Sequence, residues 1–205
     1  MRIWRIENIK VLGISGSPHH NGNTEILLCT ALRAAKAKGA ETRIVRLSEM
    51  EIFHCRGCNR CFDTGKCIID DGMTDIYPLL DAADVIIVSS PVHFSGLSSY
   101  LKQFIDRCQC LWARREFFPD PSYMSRKGAF ISVGGQAAPI FRNSTSVVKS
   151  FLNTINVSCC SCLTVPGVDR QGAIMERPDV IDAAYEIGLR LVDGLYTDPT
   201  SFSPR

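Results

Sequence analysis

Charge of one sign is the first thing this chain of 205 residues lacks: 23 Lys and Arg stand against 21 Asp and Glu, a formal net charge of +2. A nucleic-acid binder needs a strongly basic face, so no nucleic-acid partner is expected. Long apolar runs are missing too. No stretch approaches the roughly 18–20 residues that cross a bilayer, so no membrane span is expected. The opening residues, MRIWRIENIK, carry charges where a secretory leader would have an apolar run, which points to a reducing cytoplasm. The glycines fit neither the G-x-G-x-x-G dinucleotide fingerprint nor the phosphate loop that ends in Gly-Lys-Ser/Thr. No Ser–His–acid arrangement is discernible and no carboxylate pair sits at a motif, so no side chain is marked as a nucleophile.

Cysteine, by contrast, is plentiful, with ten in the chain. Secreted disulfide scaffolds are usually much smaller and loop-rich. Four cysteines fall in one stretch: Cys55, Cys58 and Cys61, then Cys67 after five intervening residues. Thiolates held this close on a tight turn can converge on one soft centre the size of a metal cluster. Gly65 gives the chain room to turn back. Zinc also accepts four thiolates, although structural zinc sites usually split them into two separated pairs. A metal-free loop is the third reading. The other six are expected to pack: Cys29 on the apolar side of the first helix, Cys108 and Cys110 pointing apart on another helix. Cys159, Cys160 and Cys162 fall in an apolar strand, where cysteine behaves as a small hydrophobe.

Apolar runs without period-two alternation are expected as strands at 9–14, 42–47, 84–89, 127–133 and 157–165. Helical spacing separates them at 24–38, 73–80, 97–111, 144–154 and 178–195, with Gly39 closing the first helix. Buried strands alternating with helices indicate a parallel sheet covered on both faces. The expected fold is therefore α/β, a flavodoxin-like doubly wound five-stranded parallel sheet, in one domain over 1–205. It carries a cysteine-rich loop at 54–70 and a loose Ser- and Pro-rich tail at 197–205.

In such a fold the loops after strands one, three and four share a crevice. The first contains Ser15, Ser17, Gly22, Asn23 and Thr24 directly before a helix, where backbone N–H groups and the helix dipole favour an anion. An ordinary strand-to-helix turn, with Asn23 or Thr24 as cap, is the plainer alternative. The second loop, with Pro91, Val92, His93, Phe94 and Ser95, places two ring side chains just after a buried strand. The third brings bare backbone at Gly134 and Gly135 and one amide, Gln136, to the same edge. His19, His20 and His54 are also loop residues.

Gly16-Ser-Pro with Gly22-Asn-Thr24, the cysteine stretch, Ser90-Pro-Val-His-Phe94, Phe104-Ile-Asp-Arg107 and Gly134-Gly-Gln136 occur in one order. Together they resemble the iron–sulfur flavoprotein family, within the flavodoxin-like NADPH-dependent FMN reductase group, over residues 8–195. The resemblance implies FMN, with its phosphate at Ser15, Ser17, Asn23 and Thr24. It implies an isoalloxazine ring lying against residues 91–95 and 134–136, and a 4Fe–4S cluster on Cys55, Cys58, Cys61 and Cys67. His93 departs from the family, whose members often carry Tyr there, and Gly72 stands where they often carry a second Asp.

The function expected from the resemblance is FMN-dependent electron transfer between a donor such as ferredoxin and small oxidants. NAD(P)H is a possible hydride donor. A homodimer or homotetramer is expected, with the aromatic segment 111–124, holding Trp112, Phe117, Phe118 and Tyr123, either at the interface or folded back on its own domain. Two other readings stay open. One is a cluster-free NAD(P)H-dependent FMN or quinone reductase; the other is a non-enzymatic module whose cysteines order a docking loop.

Overall fold

A computed structural model describes residues 9–120 and 125–196. The charged start at 1–8, the tip of the aromatic segment at 121–124 and the tail at 197–205 lie outside the described residues.

Five strands, β1 (Lys10–Ser15), β2 (Glu41–Arg46), β3 (Val85–Pro91), β4 (Arg126–Val133) and β5 (Val157–Val165), form one sheet in the order β2-β1-β3-β4-β5. Every pairing is parallel. Parallel neighbours need crossovers, and helices supply them on both faces. Alternate residues of β3 enter opposite cores. Ile86 and Val88 join Leu12, Ile14 and Phe130 beneath α3 (Met73–Ala82), α4 (Ser99–Arg107) and α6 (Arg142–Thr154). Val85 and Ile87 join Val11, Ala129 and Ile131 beneath α1 (Asn23–Ala37) and α7 (Pro178–Tyr196). The chain leaves β1 in one direction for β2 and returns on the other side for β3. That reversal opens a crevice at the carboxyl ends of β1 and β3.

The helix expected at 97–111 is two helices, α4 and α5 (Gln109–Phe117), parted at Cys108. The N–H of Cys108 reaches the carbonyls of both Phe104 and Ile105, the tightened last turn that ends many helices. The bend brings α5 against α2 (Cys61–Thr64), a single turn inside the cysteine loop that Gly65 closes in the left-handed conformation, φ 68°. The rings of Trp112 and Phe117 stand 5.7 and 5.4 Å from that of Phe62. This part of the aromatic segment therefore folds back on its own domain, leaving Phe117 and Phe118 half exposed.

Two packing expectations are corrected. Cys29 is exposed, because it lies one helical turn before Arg33 and two before Lys36 on the solvent face of α1, away from Leu28 and Leu32. Cys159, Cys160 and Cys162 are not buried either. β5 is an edge strand whose side chains alternate between exposed and half-buried. Cys108 and Cys110 do pack in the core.

Candidate functional site

A serine-rich web fixes the three loops at the carboxyl edge. The Gly16 N–H donates to Ser89 O at 2.8 Å. A Cβ on Gly16 would lie 2.7 Å from Leu101 Cβ and 3.0 Å from Ser89 O, so only glycine lets the first loop pass between β3 and α4. Ser98 donates from Oγ to Gly16 O at 2.5 Å and from its N–H to Ser90 Oγ at 3.0 Å. Ser132 Oγ donates to Ser90 O at 2.8 Å. All of these serines are fully buried; the Ser89 hydroxyl has no partner among the described residues, while the paired groups, in a dry interior, hold a rigid arrangement.

The first loop then curls. Ser17 Oγ accepts from the His19 N–H at 3.1 Å and donates to His19 O at 2.9 Å. Gly22, not Asn23 or Thr24, takes the cap position of α1, and no side chain caps the helix. The opening N–H groups have no preceding turn to accept them, so they present partial positive charge at the crevice. Glu25, buried in that first turn, would oppose an anion. Arg46 Nε, 2.7 Å from Glu25 Oε1, offsets its charge.

Around Phe94 and Ser95, His93 and Gly96 exchange N–H···O bonds of 3.0 and 2.9 Å. Both turn residues adopt positive φ, 47° and 59°. A tight hairpin normally assigns such positions to Gly or Asn, and a bulky residue there is strained. The turn is braced by Asn143 Nδ2, which donates to Ser95 O at 3.1 Å, and the Phe94 ring is left entirely exposed at the rim.

These loops enclose two adjoining clefts. One, about 270 Å³, is lined by Ser17, Gly22, Asn23, Thr24, Pro91, Val92, His93 and Gly135. The other, about 790 Å³, is lined by Val92, His93, Phe94, Ser95, Gly134, Gly135 and Gln136. Val92, His93, Gly135 and Asp169 border both, so the clefts run together. Twelve of the thirteen residues expected to hold the cofactor lie on this wall. Ser15 does not: it sits at the end of β1, buried, its Oγ unpaired among the described residues. Asn23 lines the cleft, but its amide is engaged elsewhere, donating to Arg170 O at 3.0 Å and accepting from the Ile174 N–H at 3.2 Å.

Sequence reasoning missed the loop after β5. The Gly134 N–H donates to Val165 O, the Val168 N–H to Gly134 O and the Gly167 N–H to Gln136 O, which zips that loop to the one after β4. Val168, Asp169 and Gln171 thereby join the wall. The signal was present: the rule that placed loops one, three and four at the carboxyl edge places the Pro166-Gly167 turn there too.

The cysteine loop hangs beside this edge. Cys55 and Cys58 are exposed, Cys61 and Cys67 half-buried. Its neck is held by Arg107, which is 1 % exposed. The Arg107 guanidinium pairs with Asp71, donates to Phe53 O at 2.8 Å and Ile69 O at 3.2 Å, and reaches Cys67 Sγ at 3.5 Å. Burial alone would raise the pKa of Asp71. The Arg107 guanidinium and the N–H groups of Phe53 and Met73 outweigh it and hold the carboxyl below its ordinary value. Among the described residues no three Cys, His, Asp or Glu side chains stand in a metal-holding arrangement. The donor set itself, four thiols on one short loop with an arginine donor beside one sulfur, has the chemistry of a thiolate-ligated cluster.

The sequence pattern of a family described as NADPH-dependent FMN reductase matches residues 9–162. An iron-sulfur flavoprotein of Methanocaldococcus jannaschii is 45 % identical over 103 residues, covering 50 % of this chain and 53 % of that protein. One of Methanosarcina thermophila is 41 % identical over 127 residues, 62 % of this chain and 64 % of that protein. The match thus spans between about half and two thirds of the length of these relatives. A solved archaeal flavodoxin superposes with a TM-score of 0.56 at 10 % identity, over 91 % of this chain and 99 % of that one, a likeness of fold alone.

Proposed function

The chain belongs to the NADPH-dependent FMN reductase family, and on that premise we propose that it is an FMN-dependent electron-transfer oxidoreductase whose cysteine loop holds a 4Fe–4S cluster. The observation that carries the reading is the continuous crevice. At one end, beside Pro91, stands a helix start with no side-chain cap; at the other is a wall of Gly134 and Gly135 backbone and the Gln136 amide, with His93 where the two clefts meet.

In this reading Ser17, Thr24 and the first N–H groups of α1 hold a single phosphate, while Arg46 keeps Glu25 from repelling it. Gly134 and Gly135 let a flat ring approach the backbone, and Gln136 offers it both a donor and an acceptor. His93 puts an imidazole where the two clefts meet, positioned to exchange a proton with a bound group. Asp169 faces the same junction. Cys55, Cys58, Cys61 and Cys67 supply the cluster's thiolates, and Arg107 orients the last of them. Bound FMN exchanges electrons singly or in pairs, which lets a hydride donor such as NAD(P)H serve one-electron carriers. Ferredoxin is the kind of one-electron donor this suits, with quinones or oxygen species as acceptors, in a homodimer or homotetramer.

A cluster-free NAD(P)H-dependent FMN or quinone reductase is the second reading. What favours it is the absence, among the described residues, of three converging ligand side chains.

FMN, not FAD, is expected to copurify, because the crevice offers one phosphate cradle and no second glycine-rich turn for an adenylate half. Heat release of the flavin followed by chromatography tests this, and mostly FAD contradicts it. Thr24→Val removes one hydroxyl from the cradle and is expected to weaken FMN binding by about 1–3 kcal/mol, measured by flavin fluorescence quenching.

A further inference from the structure

Three thiols on β5, Cys159, Cys160 and Cys162, belong to neither the crevice nor the cysteine loop. In an unbroken strand, residues three apart face opposite sides of the sheet. Here the register changes. Gly128 pairs with Cys159, then Ala129 with Ser161 and Phe130 with Cys162, so Cys160 is an extra residue, a β-bulge. Gly128 and Phe130, two apart on β4, share a face, and so therefore do their partners. The bulge turns Cys159 and Cys162 to one side, and their Sγ atoms stand 3.5 Å apart.

Their surroundings suit reactivity. Among the described residues β5 has a strand neighbour on one side only; Cys162 is exposed there, while Cys159 leans half-buried on the core. A hydrogen bond from Cys159 stabilises a thiolate on Cys162, burial opposes it, and the Lys149 ammonium on α6 assists, leaving Cys162 at about 6. The same hydrogen bond, burial and the facing Cys162 and Cys160 sulfurs push Cys159 up against the pull of Lys149. The negative charge thus rests on the better-solvated sulfur.

We propose that Cys159 and Cys162 form a second redox site of this protein, a dithiol that reduces small organic disulfides, with Cys162 attacking and Cys159 resolving. The Cys162 thiolate attacks one sulfur of R–S–S–R. A mixed disulfide forms, the R–S–S–R bond breaks, and one RS⁻ leaves and takes a proton. Cys159 then gives its proton to solvent base and attacks Cys162 Sγ. The internal disulfide forms, and the second RS⁻ leaves and is protonated. Two protein thiols are oxidised by two electrons and R–S–S–R becomes two RSH. Closing the bond requires the sulfurs to approach from 3.5 Å to about 2.0 Å, a movement that the edge strand has to accommodate at its bulge.

The test is anaerobic incubation of the complete protein with 2-hydroxyethyl disulfide, acid quench, alkylation and peptide mapping. Wild-type protein is expected to acquire a Cys159–Cys162 bridge. Cys159→Ser is expected to stop at a mixed disulfide retained on Cys162. At pH 6 Cys162 should react about tenfold faster than an ordinary exposed thiol, because its larger thiolate fraction outweighs its lower intrinsic nucleophilicity. Cys160, on the same strand, is the internal comparison. No bridge in the wild type, no retained adduct in Cys159→Ser, or Cys160 reacting as fast as Cys162 at pH 6 would each overturn the proposal.

Discussion

Arg107→Met is expected to lower the stability of the protein by about 3–5 kcal/mol, because it leaves a buried carboxylate without its partner. Arg107 and Asp71 have side chains 0 % and 1 % exposed, so solvent cannot replace the lost contact. The guanidinium also ties Phe53 O at one end of the cysteine loop to Ile69 O at the other, so the variant loses the knot at the loop's neck. Arg107→Lys keeps the charge but not the planar fork and should recover only part of the loss. Thermal melting reads the stability, and limited proteolysis between residues 54 and 70 reads the opened neck. A Met variant that melts within about 1 kcal/mol of the wild type contradicts the assignment.

The same pair sets a pH dependence. Asp71 is held below its ordinary value of about 4, so its contribution is fully present above that value. It is lost as the pH falls through the depressed folded-state value. Urea melts between pH 7 and 3 should show this acid loss in the wild type, and Asp71→Asn should flatten it.

The second large effect is expected from Cys58→Ala. Three thiols remain in the loop, too few for the usual ligand count of a 4Fe–4S cluster, so iron and acid-labile sulfide should be lost. FMN should stay, because the cradle proposed for it, on the loop after β1 and the start of α1, shares no residue with the cysteine loop. Electron transfer from one-electron donors should fall much more than NAD(P)H oxidation, since only the first route needs the cluster. Cys160→Ala is the control. Its thiol is exposed and outside the loop, so iron content should be unchanged and stability should move by no more than about 0.5 kcal/mol. Full iron in Cys58→Ala would remove this cysteine from the ligand set.

The sheet was legible because strands covered on both faces must be apolar at every position, and the run from Val85 to Val88 reads that way. The crevice was legible for a related reason: parallel strands place all their following loops at one edge, so Ser17, His93 and Gly135 could be grouped without coordinates. Other features were hidden where the deciding partner is remote in sequence. The bulge at Cys160 depends on pairing with Gly128 and Ala129, and periodicity along β5 alone does not encode register. Cys108 parts two helices without Gly or Pro to mark the break. The engagement of the Asn23 amide was hidden because its partners, Arg170 and Ile174, lie far down the chain. Arg107 stood in a recognised motif, yet its role depends on Phe53, Ile69 and Asp71 converging on it.

The most direct test of the central claim is the content of FMN, iron and acid-labile sulfide per chain in protein prepared and reconstituted without oxygen, read together with its absorption spectrum. About one FMN with about four irons and four sulfides is expected, and flavin bands over a broad visible shoulder that bleaches on reduction. Flavin with no iron after reconstitution would contradict the cluster and leave the cluster-free FMN reductase. A colourless protein that takes up neither would contradict the account as a whole.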